Sequence, residues 1–130
     1  MLLFPPWHLS SFSYLAESIK WRGHRSERGF QLVSEPLGVA LIGCGTVGSG
    51  VARLLQEQRE RLAIRAGRPL LLRRVVVRDP SKPRSIELPR ELVTTDLQSV
   101  LRDPNVHVGV ELVGGVDWAK QAVLALLAAG

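Results

Sequence analysis

One stretch of the sequence decides the fold: Gly38-Val39-Ala40-Leu41-Ile42-Gly43-Cys44-Gly45-Thr46-Val47-Gly48. Its first five residues are apolar and end in glycines, which predicts a short strand buried on both faces. The apolar residues after the glycines follow helical spacing, which predicts one buried helix face made of Val47, Val51, Leu54, Leu55 and Leu62. Gly67 and Pro69 then predict the end of that helix.

Strand and helix patterns alternate along the rest of the chain. Apolar runs at residues 70–77 and 106–113 predict two further buried strands, and residues 92–94 predict a short one between them. Thr95 and Asp96 predict the cap of a brief helix that ends at Leu101. The last helix is predicted from about Asp117, with a shared apolar face made of Ala119, Ala122, Val123 and Leu126.

This order predicts an α/β fold in which helical crossovers join parallel strands, a Rossmann-type doubly wound parallel sheet. We expect the first half only of such a sheet, and therefore an exposed edge strand and unburied apolar surface.

Composition separates the beginning of the chain from the remainder. Six of the seven aromatic residues lie within the first 30 positions, and the seventh is Trp118. We therefore expect residues 1–35 to be a poorly structured N-terminal extension, and residues 36–130 to be a partial NAD(P)-binding domain. Pro5 and Pro6 interrupt the apolar start, and no basic residue precedes it. This argues against a secretory signal and for a cytoplasmic protein, with an organellar transit peptide as the alternative.

The glycine loop has the spacing G-x-G-x-x-G, directly after a predicted buried strand and at the start of a predicted helix. Gly43 permits a tight turn, Gly45 lets a pyrophosphate approach the backbone, and Gly48 lets the helix lie against the strand. The helix terminus offers N–H donors and partial positive charge to the phosphates. A nucleotide-hydrolysing P-loop is disfavoured, because Ser49 occupies the position of its lysine.

The end of the second strand bears on the choice of dinucleotide. An acidic residue there suits the ribose of NAD, whereas an arginine suits the 2′-phosphate of NADP. Arg78 and Asp79 are adjacent, and Lys82 and Arg84 follow. We expect a cationic rim that favours NADP over NAD, and use of both remains open.

Three other polar residues give weaker evidence of a functional role. The single cysteine, Cys44, excludes an internal disulfide and a multi-cysteine zinc site, and it is interpreted as a small filler of the loop. His107 is interpreted as structural, while Glu111 is equally compatible with a ligand-binding and a structural role. No catalytic or metal-binding residue is predicted.

Charge is concentrated in one segment of the chain. The net charge is +5, and residues 53–84 contain ten basic and three acidic residues. A nucleic-acid surface is one alternative, but arginines outnumber lysines 14 to 3 and no nucleic-acid motif accompanies them, which favours a general arginine bias. No apolar run approaches the roughly 20 residues of a membrane span. We therefore expect neither nucleic acid nor a membrane as a partner.

Five motifs resemble, in order, those of homoserine dehydrogenases. They are residues 36–51 around the glycine loop, residues 65–69, residues 75–79 with Lys82-Pro83-Arg84, residues 92–96, and residues 110–115. The resemblance implies NAD(P)-dependent interconversion of homoserine and aspartate 4-semialdehyde, in the threonine and methionine branch of biosynthesis. It also implies that amides around Thr46 and Val47, and the loop as a whole, hold the pyrophosphate, that Arg78 faces the adenosine ribose, and that Gly114 and Gly115 lie near the nicotinamide.

The resemblance also has departures. In the family, the catalytic lysine follows this last helix in an Ala-Asn-Lys segment, so both it and the substrate domain would lie past Gly130. Gly109 stands where the family usually has a β-branched residue. We therefore expect the cofactor-binding portion of an enzyme that is homo-oligomeric at full length, inactive as this chain alone. The alternative is a non-catalytic NAD(P)-binding sensor or regulatory module.

Overall fold

The computed structural model describes residues 35–130. The elements in that range are β1 (Leu37–Ile42), α1 (Thr46–Glu57), α2 (Arg59–Ala66), β2 (Leu70–Val76), a 3-10 turn (Arg90–Leu92), β3 (Val93–Thr94), α3 (Leu97–Leu101), β4 (Val108–Glu111) and α4 (Asp117–Ala129). The four strands are parallel and lie in the order β3-β2-β1-β4. This confirms the predicted doubly wound α/β fold. The prediction of an N-terminal extension falls, apart from its last residue, outside the described residues.

The sheet has an apolar core on each face. On one face, Val39 and Leu41 of β1 pack with β2 residues against Ala52 and Leu55 of α1. On the other face, Ala40, Ile42 and Val76 pack against Val100 of α3 and Ala122 of α4. Because β1 contributes to both cores, it is the buried centre of the sheet, as its continuous apolar run predicts.

The buried face of α1 differs from the predicted one. Val47 is 65% exposed and Leu54 is 42% exposed, while the buried positions include Gly48, Ala52 and Leu55. The physical reason at Gly48 is close packing, because a Cβ there would overlap the Gly43 carbonyl oxygen in the preceding loop. Apolar periodicity overlooks such residues because they contribute little hydrophobicity.

The single helix predicted between the glycine loop and Gly67 is divided in two. Gln58 has φ −113° and ψ 33°, which separates α1 from α2. The predicted helix end is confirmed, because Gly67 follows α2 in the left-handed conformation with φ +71°. The predicted cap of α3 is also confirmed, since the Gln98 N–H donates to Asp96 Oδ1 at 2.8 Å.

The strand β2 contains an irregularity where two arginines interrupt its apolar sequence. Leu72 pairs with Val39 and Arg74 pairs with Ala40, so Arg73 is an extra residue without a partner of its own in β1. The two apolar runs flanking the arginines are therefore one continuous strand. Leu72 and Val75 contact the same core in spite of their odd spacing.

The strand β4 is shorter and more exposed than predicted. It covers four residues instead of eight, and Val108 is 37% exposed, so the prediction of a strand buried on both faces is wrong. The reason is its place at the edge of the described sheet.

The predicted α4 face is only partly buried, because Ala122 is buried while Val123 is 39% exposed. Gly109 has a packing role, since a Cβ there would lie 2.5 Å from Leu126 Cδ2 of α4.

A partly buried ion pair joins β2 to the loop before β4. Arg74 Nη2 lies 3.3 Å from Asp103 Oδ2. Burial by itself would raise the pKa of Asp103, but hydrogen bonds from the backbone and side chain of Asn105, together with Arg74 and Arg73, lower it below the ordinary value of 3.8. None of the helices within residues 35–130 has the length and apolarity needed to cross a bilayer.

Candidate functional site

The glycine loop forms a tight turn at the carboxyl end of β1. Gly43 has φ +104°, and its N–H donates to the Val76 carbonyl at 2.8 Å. A Cβ on Gly43 would lie 2.8 Å from the Leu112 carbonyl oxygen, and a Cβ on Gly48 would overlap the Gly43 carbonyl oxygen. Two of the three motif glycines are therefore required by backbone packing, since no larger residue fits without displacing the loop.

Gly45, the remaining motif glycine, borders open space. A Cβ placed on it would meet no atom within 4 Å, and its φ of −82° is accessible to other residues. Packing within residues 35–130 therefore gives no reason for a glycine at this position. A ligand that approaches the backbone closely would give one.

The amino end of α1 presents backbone donors next to this space. The first helical hydrogen bond runs from the Ser49 N–H to the Gly45 carbonyl at 2.8 Å, and no side chain caps the helix. The N–H groups of Thr46, Val47 and Gly48 precede that bond and thus have no acceptor one turn back. Thr46 and Val47 are exposed. Exposed amides, the positive end of the helix dipole and space at Gly45 fit the pyrophosphate of a dinucleotide.

Cys44 lies within the loop as a partly buried residue. Its Sγ is 3.6 Å from Ser49 Oγ, and Ser49 is 2% exposed. Cys44 also packs against the core on the α1 side of the sheet. These contacts agree with its interpretation as a small filler.

The structure brings together two predicted site residues from distant parts of the sequence. Arg78 follows β2, and its Nη2 donates to the carbonyl of Gly114 in the loop after β4 at 3.4 Å. Because β1 lies between β2 and β4, the Arg78 side chain crosses the end of the sheet from which the glycine loop leaves. Gly114 and Gly115 are exposed, and Gly115 has φ +100°.

Sequence reasoning missed a third residue at this crossing. The guanidinium carbon of Arg78 lies 5.8 Å from the centroid of the Trp118 ring. Trp118 was the lone aromatic residue after position 30, which is a weak signal that does not identify its partner. Only the sheet order places the end of β2 beside the first turn of α4.

The other charged residues after β2 are engaged within their own loop. Asp79 Oδ1 accepts hydrogen bonds from the Ser81 backbone at 2.9 Å and the Ser81 hydroxyl at 2.6 Å, and these bonds, the hydroxyl first, lower the pKa of Asp79. Arg84 donates to the carbonyls of Asp79, Pro80 and Lys82 at 2.6, 3.2 and 2.8 Å. Arg84 thus stabilises the backbone of its own loop, whereas Arg78 contacts the loop after β4.

A separate cavity of about 460 Å³ lies between this loop and β3. It is lined by Pro80, Ser81, Arg84, Ile86, Leu88, Arg90 and Val93. No residue of the glycine loop lines it. The cavity is therefore a feature of the loop rather than part of the phosphate cradle.

His107 and Glu111 have structural contacts. His107 Nδ1 accepts the Gly38 N–H at 2.9 Å at the amino end of the sheet, opposite the glycine loop. Glu111 Oε1 accepts the Val113 N–H at 2.5 Å, so the carboxylate closes the end of its own strand. Both arrangements favour the structural interpretation. The described part of the chain contains no group of three or more side chains suited to a metal ion.

Comparisons with known proteins find similarity to one family. Residues 43–130 match the family model described as the NAD binding domain of homoserine dehydrogenase. A homoserine dehydrogenase from Bacillus subtilis is 42% identical over 83 residues, which are 64% of this chain and 19% of the relative. One from Corynebacterium glutamicum is 44% identical over 94 residues, 72% of this chain and 21% of the relative. The chain thus spans about a fifth of the length of these relatives.

Solved structures show the same similarity. The crystal structure of Staphylococcus aureus homoserine dehydrogenase at pH 7.5 has a TM-score of 0.66 and 29% identity, over 73% of this chain and 24% of that one. The Thiobacillus denitrificans homoserine dehydrogenase has a TM-score of 0.61 and 32% identity, over 74% and 22% of the respective chains. The matched region is in each case less than a third of the neighbour.

Proposed function

The chain belongs to the homoserine dehydrogenase family and contains its NAD-binding domain, and we propose that its glycine loop and the amino end of α1 bind the pyrophosphate of NADP in preference to NAD. The observation that carries the proposal is the open space at Gly45 beside exposed amides of α1. The family match favours this function over a non-catalytic sensor module.

The preference for NADP is supported by Arg78, which follows β2. Its neighbour Asp79 directs one carboxylate oxygen, Oδ1, to the Ser81 backbone and hydroxyl within the same loop. Arg78 is exposed and has its guanidinium at the end of the sheet. A guanidinium offers several N–H donors to a phosphate, so it suits the 2′-phosphate that distinguishes NADP.

Calorimetry on Arg78→Ala tests this preference. A hydrogen bond to a charged group contributes about 1.5–3 kcal/mol, so the variant should bind NADP about 10- to 150-fold more weakly. Its affinity for NAD should change by less than about twofold, since NAD lacks the phosphate that Arg78 would contact. Arg65→Ala, which removes the same charge from exposed α2, is the matched control and should change neither affinity. Unchanged binding of NADP by Arg78→Ala would remove Arg78 from the site.

For the whole protein we propose the interconversion of homoserine and aspartate 4-semialdehyde in threonine and methionine biosynthesis. The bound nicotinamide supplies or accepts the hydride. The residues described here hold the phosphates at the helix terminus and orient the cofactor across the end of the sheet. We propose that the 130-residue chain performs this binding step without turnover, since it spans about a fifth of the length of its relatives. Homoserine-dependent reduction of NADP by the purified chain would contradict the proposal.

We also propose that the basic segment is structural rather than a nucleic-acid surface. Arg74 pairs with Asp103 at 3.3 Å, Arg68 Nε donates to the Glu35 carbonyl at 2.8 Å, and Arg53 donates to the Ser85 carbonyl at 2.6 Å. A gel shift that weakens steeply with salt would contradict this. Cytoplasmic location and homo-oligomeric assembly of the whole protein remain predictions, which cell fractionation and light scattering would check.

A further inference from the structure

Trp118 occupies a fixed position at the mouth of the proposed site. It lies in the first turn of α4 and packs against the core formed by Ala40, Ile42 and Val76. Its partly buried ring is therefore held by the body of the domain. The Arg78 guanidinium lies over that ring, with its carbon 5.8 Å from the ring centroid.

Arg78 itself is exposed and long, and it has few restraints. Its one hydrogen bond within residues 35–130 is the 3.4 Å contact with Gly114, which is near the limit for such a bond. A long, flexible cation of this kind loses conformational entropy when a ligand orders it. The Trp118 ring reduces the range of positions that Arg78 can adopt before a ligand arrives.

We propose that Trp118 is a positioning residue for Arg78, whose guanidinium it holds near the end of the sheet for contact with the 2′-phosphate of NADP. A cation–π contact occupies no N–H donor of the guanidinium, so its N–H groups can still donate to a phosphate. The weak Gly114 bond is the contact that a phosphate replaces, while the contact with Trp118 persists. This inference rests on the proposed binding of NADP by Arg78.

The expected effect is selective for the phosphorylated cofactor. A cation–π contact at an exposed site contributes about 0.5–1 kcal/mol, which corresponds to a two- to fivefold change in affinity. Trp118→Leu should therefore bind NADP about two- to fivefold more weakly than the unaltered chain. Its affinity for NAD should be unchanged, because NAD has no phosphate for the positioned guanidinium to contact.

A double-mutant cycle on the full chain tests the positioning role. Dissociation constants for NADP and NAD are measured by calorimetry for Trp118→Leu, Arg78→Ala and the double variant, with thermal melts to verify folding. If Trp118 acts through Arg78, the loss of NADP affinity caused by Trp118→Leu disappears when Arg78 is already alanine. Trp118→Phe keeps an aromatic ring and should lose less NADP affinity than Trp118→Leu. If Trp118→Leu does not fold, Trp118→Phe takes its place in the cycle.

The outcomes separate this inference from the proposed function. A Trp118 substitution that weakens NAD and NADP equally, or that weakens NADP as much without Arg78 as with it, would overturn the positioning role alone. Failure of the unaltered chain to bind either nucleotide would overturn the proposed function, and the positioning role with it.

Discussion

Replacement of Gly45 by alanine separates the requirements of folding from those of binding. A Cβ at this position meets no atom within 4 Å, and φ is −82°. The free energy of unfolding should therefore change by no more than about 1 kcal/mol, since alanine restricts the unfolded chain but is a poorer N-cap than glycine. The same methyl group would occupy the space proposed for the pyrophosphate. An overpacked contact costs about 1–3 kcal/mol, so affinity for NADP should fall roughly 5- to 150-fold.

Two neighbouring glycines provide the controls. Gly48→Ala would push a Cβ into the Gly43 carbonyl oxygen, so we expect a loss of about 1–3 kcal/mol of stability together with weaker binding. Gly50 is exposed within α1 and also has nothing within 4 Å of a Cβ. Gly50→Ala should stabilise the chain by about 0.5–1 kcal/mol through helix propensity and leave binding unchanged.

The assay combines urea unfolding, followed by circular dichroism, with calorimetric titration of NADP. The decisive result is a Gly45→Ala chain whose free energy of unfolding lies within about 1 kcal/mol of that of the unaltered chain but which binds NADP weakly. If that variant binds NADP with unaltered affinity, the space at Gly45 is not the pyrophosphate site and the reasoning fails.

Three further predictions concern stability away from the glycine loop. Gly109→Val should cost about 1–3 kcal/mol by collision with Leu126, and Leu126→Ala in the same chain should remove part of that cost in thermal melts. His107→Ala should cost about 1–2 kcal/mol because it leaves the Gly38 N–H without its acceptor, and titration should show unchanged NADP affinity. Asp103→Asn should lower stability by about 1 kcal/mol at pH 7. Because the folded-state pKa of Asp103 lies below 3.8, urea unfolding should show this difference at full size well above pH 3.8 and shrinking as pH falls below it.

The glycine loop was predictable because its requirements are local. A buried strand, three spaced glycines and a helix are adjacent in the chain, and the positive φ of Gly43 and the close approach of Gly48 follow from that order. The buried face of α1 was predictable only in part from apolar spacing, which identified Leu55 but not Gly48 or Ala52. Close approach of the preceding loop requires a glycine at position 48, and a hydrophobic pattern ignores such small residues.

The meeting of Arg78 with Gly114 and Trp118 depends on long-range order. Arg78 lies 36 positions before Gly114 and 40 before Trp118, and it meets them only because β4 pairs with β1 on the side opposite β2. A single sequence predicts the strands but not their neighbours in the sheet. The order of the strands was therefore predictable along the chain, while the contact between the ends of β2 and β4 required the assembled sheet.

The extra residue in β2 changes the side of the sheet toward which the following residues point. Side chains alternate along a strand, so each inserted residue reverses the parity of everything that follows it. With Arg73 inserted, Val77 faces the α1 core, and the next residue, Arg78, emerges on the side of α4 and Trp118. Without that insertion, Val75 would point toward the α3 and α4 core and Val76 toward the α1 core. A single insertion or deletion in this strand would therefore exchange the two faces of everything downstream of it, at a distance from the altered residue.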